Sequence, residues 1–163
     1  MKSYKTYSNI ENMKEVDSVK ISTKGRYALR IMVDLAQQDA GAYIPLKDIS
    51  QRQEISEKYS EMIIGLLSKA GFVLSSRGKG GGYRLAKSSE KYTVGAILKA
   101  AEGSLAPVSC LDMAESLCPR AGRCATLPMW RELDRRIEDY LESVTLADLV
   151  LQAGSSTADD CIS

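Results

Sequence analysis

The sequence predicts a mainly α-helical chain with one small β-hairpin, and three observations carry that prediction. Apolar residues recur at helical spacing in several separate blocks of the 163 residues. One stretch, residues 72–86 (FVLSSRGKGGGYRLA), has strand-like runs on either side of a glycine-rich turn. A late segment, Ala125 to Val144, sustains a period of about 3.5 residues through Leu127, Trp130, Leu133, Ile137, Leu141 and Val144.

In order along the chain, residues 1–18 lack apolar periodicity and read as a loose amino-terminal arm, within which Met13 offers a second start. Ala28, Ile31, Met32, Leu35 and Ala36 define a helix from Thr23 to Gln38, stopped by the DAGAY stretch at 39–43. A short helix follows Pro45, with Leu46 and Ile49 inward, and ends in a turn at Glu54-Ile55-Ser56. Ser56 is placed to cap a longer helix, Glu57 suits its dipole, and Tyr59, Met62, Ile63, Leu66, Leu67 and Ala70 form its apolar face. Gly71 stops that helix. The hairpin comes next, then a helix capped by Thr93 through Val94, Ile97, Leu98 and Ala101. A cysteine-bearing loop leads into the long helix, Thr145 starts a short last one, and the tail from Gly154 reads as disordered.

Composition narrows the function. With 44% hydrophobic and 26% charged residues and no apolar run of membrane length, the chain is that of a globular protein expected in the cytoplasm, without a membrane partner. It has no histidine, which removes Ser-His-Asp and Cys-His nucleophilic centres, HExxH sites and Cys/His zinc fingers. No nucleotide fingerprint or acid–base pair supports turnover, so no enzyme is expected. The net charge of +1 hides an asymmetry: residues 1–91 balance at +6 and residues 92–163 at −5. A basic half beside an acidic half suggests a nucleic-acid-facing region and a separate partner or sensor region.

Two helices, a tight turn and a hairpin directly after the second helix form the order of a winged helix–turn–helix. In that geometry the start of the second helix faces the major groove, with Ser56, Glu57, Lys58, Ser60 and Glu61 outward. Glu61 is either part of a solvated face or a base reader accepting from cytosine N4. The tip Arg77-Gly78-Lys79-Gly80-Gly81-Gly82-Tyr83-Arg84 sets three cations among four glycines, which lets backbone amides and basic side chains approach phosphates. A Walker-type loop is excluded by the absence of GxxxxGK[ST].

Cys110, Cys118 and Cys124 fall within fifteen residues, with no CxxC pair, beside Pro119, Arg120 and Arg123. An iron–sulfur site, a structural zinc short of one ligand, and reduced or reversibly oxidised thiols all fit this spacing. Cys161, in the tail, reads as a free thiol. The stripe on the long helix suits a partner chain better than intrachain packing, because it follows a domain with its own core.

VKISTKGRYALR at 19–30, ISEKYSEMIIGLLSKAGFV at 55–73, the wing RGKGGGYRLA and the closing TLADLV together resemble the Rrf-two (Rrf2) family of bacterial transcription regulators over about residues 19–150. The resemblance implies a homodimeric winged-helix repressor on a double-stranded DNA operator. Its domains would be the arm 1–18, the DNA-binding domain 19–102, a sensor loop 103–124, the dimerisation and final helices 125–153, and the tail 154–163. The expected DNA-facing set is Lys24, Arg26, Tyr27, Ser56, Glu57, Lys58, Tyr59, Glu61, Arg77, Lys79, Gly80, Gly81 and Tyr83. Leu127, Trp130, Leu133, Ile137 and Leu141 would pair the subunits.

Cys110, Cys118 and Cys124 match the three cysteines of the family's iron–sulfur branch, with a longer first interval, implying a two-iron or four-iron cluster. Glu61 matches a base-reading position, followed by Met62 where that branch has a polar residue. Two positions depart from the family's fourth ligands: Leu127 stands in place of a histidine and Arg26 in place of an aspartate. Ser109, Asp112, Glu115, an exogenous ligand or the partner chain would have to serve. The alternative is a cluster-free regulator of the cysteine-metabolism type, switched by thiol oxidation or by a metabolic enzyme as protein partner.

Overall fold

The structure is a computed structural model that describes residues 21–39, 41–112 and 120–155. The amino-terminal arm, Cys118 and Cys161 lie outside the described residues. Six helices and a two-stranded antiparallel sheet follow one another as α1 (Thr23–Ala36), α2 (Leu46–Gln53), α3 (Glu57–Lys69), β1 (Val73–Ser76), β2 (Gly82–Leu85), α4 (Val94–Glu102), α5 (Leu127–Ser143) and α6 (Leu146–Ser155).

Local chemistry sets the helix starts. Ser22, Ser56 and Thr93 accept from the backbone amides of Lys24, Tyr59 and Ala96, as N-cap side chains do. Thr145 and Asp148 bond reciprocally at the start of α6, the carboxylate accepting from the Thr145 amide and hydroxyl while the Thr145 hydroxyl accepts from the Asp148 amide. With that start the last helix runs through Gly154 to Ser155, beyond the predicted boundary. Ala and Gln are good helix formers, and the small residues fall in its last turn.

Ala28, Ile31, Met32, Ile49, Ile63, Ile64, Leu67, Ile97 and Leu146 fill one core shared by α1, α2, α3, α4 and α6. Helix α3 corrects two sequence expectations. Ser60, expected outward, is fully buried, whereas Met62, expected on the apolar face, is 41% exposed. The buried stripe is Ser60, Ile63, Ile64 and Leu67, and at about 100° per residue Met62 lies well over a right angle from its centre.

Helices α1 and α2 are tied by Asp34, which is buried and takes two hydrogen bonds from the Arg52 guanidinium, at 2.8 and 2.7 Å, and one from Gln53. Ile55 packs into the core just after the turn, where Glu54 takes a left-handed conformation. Strand β1 pairs with β2 in the register Val73 with Leu85 through Ser76 with Gly82. Ile44 then exchanges backbone hydrogen bonds with Tyr83 at 2.9 and 2.8 Å, adding a third short edge. Below the hairpin, the Tyr92 hydroxyl donates to Phe72 O and accepts from Lys87 N, closing both legs.

Candidate nucleic-acid interface and cysteine loop

On α3, Ser56, Glu57, Lys58 and Glu61 are exposed. Ser56 is committed to capping, while the side chains of Lys58 and Glu61 enter no hydrogen bond or ion pair among the described residues. Tyr59 is half-buried. Its ring meets Tyr27 edge to face, with centroids 5.8 Å apart and planes at 79°. Arg30 lies 5.2 Å above the Tyr27 ring and donates to both the side chain and the backbone carbonyl of Gln53. Tyr27 and Tyr59 therefore brace α1 against α3, a role beyond the contact the sequence assigns them.

On the wing, Arg77, Lys79 and Gly80 are exposed at the tip; Gly81, half-buried, closes the tip turn by donating to Gly78 O, and half-buried Tyr83 pairs with Ser75 just below it. A side chain at Gly81 would collide with Ser76 O, and one at Gly82 with the carbonyl of Ile44. These two glycines are thus set by close backbone approach. Arg84, third of the predicted wing cations, is drawn back over the Tyr43 ring at 5.1 Å, so Arg77 and Lys79 are the cations left at the tip.

At the start of α1, Arg26 is exposed and donates to Thr23, and Lys24 sits 3.9 Å from Glu102. Glu102 accepts from Ser22 N and Gly25 N, each at 3.0 Å, and from the Ser22 hydroxyl at 2.7 Å. The residue ending α4 therefore holds the first turn of α1, and the cysteine loop begins at the very next position. Periodicity could not reveal this contact across 80 residues.

Cys110 lies in a 3-10 turn, Ser109–Leu111, and Cys124 precedes α5. Both are partly exposed free thiols. The Thr126 hydroxyl, 3.4 Å from Cys124 Sγ, the Thr126 amide and the Arg120 charge hold that thiol below its ordinary value. Asp112 accepts from the Ser104 hydroxyl. Among the described residues, no group of three or more His, Cys, Asp or Glu side chains converges as a metal site.

The predicted pairing stripe divides. Leu127, in the first turn of α5 beside the loop, is only 6% exposed within its own chain. Ile137 and Leu141 line a groove against α4, with Lys99, Asp134 and Glu138. Lys99 bonds Glu138 and Glu142, and Glu142 also accepts from Thr93. Trp130 is half-buried, and the outer face of α5 presents Met129, Leu133 and Tyr140 at 51, 36 and 68% exposure. No helix among the described residues is long and apolar enough to cross a membrane.

The described head is a winged helix–turn–helix with an appended long helix, the architecture of a class of transcription regulators. Residues 21–152 match the Rrf2 family of iron-dependent transcriptional regulators, and the chain belongs to that family. It is 41% identical over 132 residues to the HTH-type transcriptional regulator IscR of Erwinia tasmaniensis, covering 81% of this chain and 79% of that one. CymR, the global cysteine regulator of B. subtilis, superposes with a TM-score of 0.67 at 38% identity, covering 82% of this chain and 97% of that one. IscR of T. potens superposes at 0.68 with 36% identity, covering 86% and 93%. These relatives bear the names of regulators, not of enzymes.

Proposed function

We propose that the protein is a homodimeric repressor that binds a double-stranded DNA operator and is switched by an iron–sulfur cluster held by Cys110, Cys118 and Cys124. The observation that carries this reading is the placement of exposed Arg77, Lys79, Lys58 and Arg26 on one winged head, with the thiol loop rooted directly at the α4 residue that clamps α1. Arg77 and Lys79 neutralise phosphates beside the groove, Arg26 and Lys24 do so from α1, and Glu61 accepts from a cytosine amino group. Affinity then falls steeply with salt.

The donor set fits the cluster in its chemistry: two partly exposed thiols, neither in a disulfide, one of them favoured as thiolate by Thr126 and Arg120. When bound, such a cluster supplies a redox- and ligand-sensitive centre. The protein's own part is to convert a change at the cysteine loop that follows α4 into the position of Glu102, hence of α1, and into the separation of two recognition helices. Met129, Leu133 and Tyr140 are the apolar groups that α5 offers a second subunit.

A second reading keeps the head but replaces the cluster by thiol oxidation or by an enzyme partner. It draws on Leu127, a buried hydrocarbon side chain with no ligating atom, and on the likeness to CymR. Anaerobic purification followed by iron analysis and a visible spectrum separates the two. Colour and iron that disappear in Cys118→Ala support the cluster. A colourless, iron-free protein that binds its operator normally supports the second reading, and one that retains no DNA overturns both.

A further inference from the structure

The outward face of α3 is unlike an ordinary solvated helix surface. Opposite the buried Ser60, Ile63, Ile64 and Leu67 stand Lys58, Glu61, Met62, Gly65 and Lys69, all exposed and spaced to form one stripe. Met62, at 41% exposure, leaves much of its thioether side chain in water. Gly65 sits in mid-helix, where glycine costs roughly 1 kcal/mol relative to alanine. The fold gives no reason for it. A Cβ there meets no atom within 4 Å, and its φ is not positive. At Gly25, Gly81, Gly82 and Gly95, by contrast, a Cβ would collide with a neighbour. An exposed apolar side chain and an unneeded glycine one turn further on are both explained by something that approaches from outside.

We propose that Met62 and Gly65 form a thymine-selective contact surface, in which the 5-methyl of an operator thymine rests on the Met62 thioether while Gly65 lets the backbone of α3 come close to the groove. This rests on the DNA-binding reading and names what that site selects. Duplex DNA is the occupant that suits the rest of the stripe. Lys58 and Lys69 stand at its two ends, where phosphates flank a groove, and Arg77 and Lys79 extend the same charge on the wing. Between the cations, Glu61 repels phosphate and accepts from a base amino group, so the centre of the stripe faces base edges. Apolar contact with a methyl is the major-groove feature that a thioether can read. A side chain at position 65 would stand between that helix and the bases.

The test uses the full-length protein. An operator is selected from random duplexes, and each thymine is then replaced in turn by deoxyuridine, which removes only the methyl group. The expected result is one position per half-site at which deoxyuridine weakens wild-type binding about fourfold, the worth of one methyl contact. Met62→Gln loses this sensitivity and Met62→Leu keeps it. Gly65→Ala raises the unfolding midpoint yet weakens operator binding about tenfold, with the salt dependence unchanged. Indifference to every deoxyuridine, or wild-type affinity in Gly65→Ala, overturns the proposal while leaving DNA binding intact. Failure of the wild type to select any duplex overturns the DNA reading and this one with it.

Discussion

Glu102 and Gly25 are locked together: the carboxylate at the end of α4 accepts from the Gly25 amide at 3.0 Å, and the absent side chain is what lets it in. Gly25→Ala is expected to destabilise the protein by about 1–3 kcal/mol through overpacking. Glu102→Ala is expected to cost a similar ~1–3 kcal/mol, because the amides of Ser22 and Gly25 lose their acceptor. The two costs should not add, since removing the Glu102 carboxylate removes the principal atom that a methyl group at position 25 would strike. A double-mutant cycle by denaturant unfolding checks this; strict additivity would show the contact to be incidental.

Tyr92 is 2% exposed, and its hydroxyl joins the two legs of the wing. Burial pushes its phenol above the ordinary value of 10.0. A raised value means that its contribution to stability is intact below about pH 10 and is lost as pH rises through the folded-state value. Tyr92→Phe should lower stability by about 1 kcal/mol at neutral pH. It should also remove this tyrosine's share of the alkaline loss, which unfolding curves at rising pH measure.

Lys79 stands at the exposed wing tip. Lys79→Ala should weaken binding to all duplexes alike and reduce the slope of log affinity against log salt by about 1. Glu61→Ala should instead relax preference at one base pair. An operator profile unchanged in Glu61→Ala would assign Glu61 to the solvated face.

The carboxyl of Glu142 is lowered by the Thr93 hydroxyl and then by Lys99. A depressed carboxyl stabilises the α4–α5 contact above its ordinary value of 4.5, and that contribution is lost as pH falls through the folded-state value. Trp130, on α5, is the chain's single tryptophan. Its fluorescence should therefore report an acid transition that moves to higher pH in Lys99→Ala. An unmoved midpoint would mean that the ion pair does not hold α5.

Much of the head is legible in the sequence because local chemistry dictates it. Ser56 and Thr93 cap where their spacing predicts, and the wing pairs around the glycines that its turn requires. Met62 and Ser60 exchange places because a list of apolar residues weighs each equally, whereas Ile63, Ile64 and Leu67 fix the buried direction. The stripe on α5 is real, but periodicity cannot say which neighbour covers it. Ile137 and Leu141 turn toward α4 through the Lys99 bonds, and Met129, Leu133 and Tyr140 remain outside. Glu102 and Arg30 act across long separations, which no local pattern encodes.

The double hydrogen bond between Ile44 and Tyr83, with Gly82 pressed on the Ile44 carbonyl and Tyr92 closing the hairpin from below, has a mechanical consequence. The wing is braced to the segment that enters α2, so wing and reading helix form one jaw of a caliper whose own opening is fixed. In a pair of such jaws the adjustable dimension is the gap between them, which must match about one DNA turn, ~34 Å. On the proposed reading of a dimer with a sensing loop, a signal would act as a thumbscrew on that gap, and a small change there would take the instrument off its gauge.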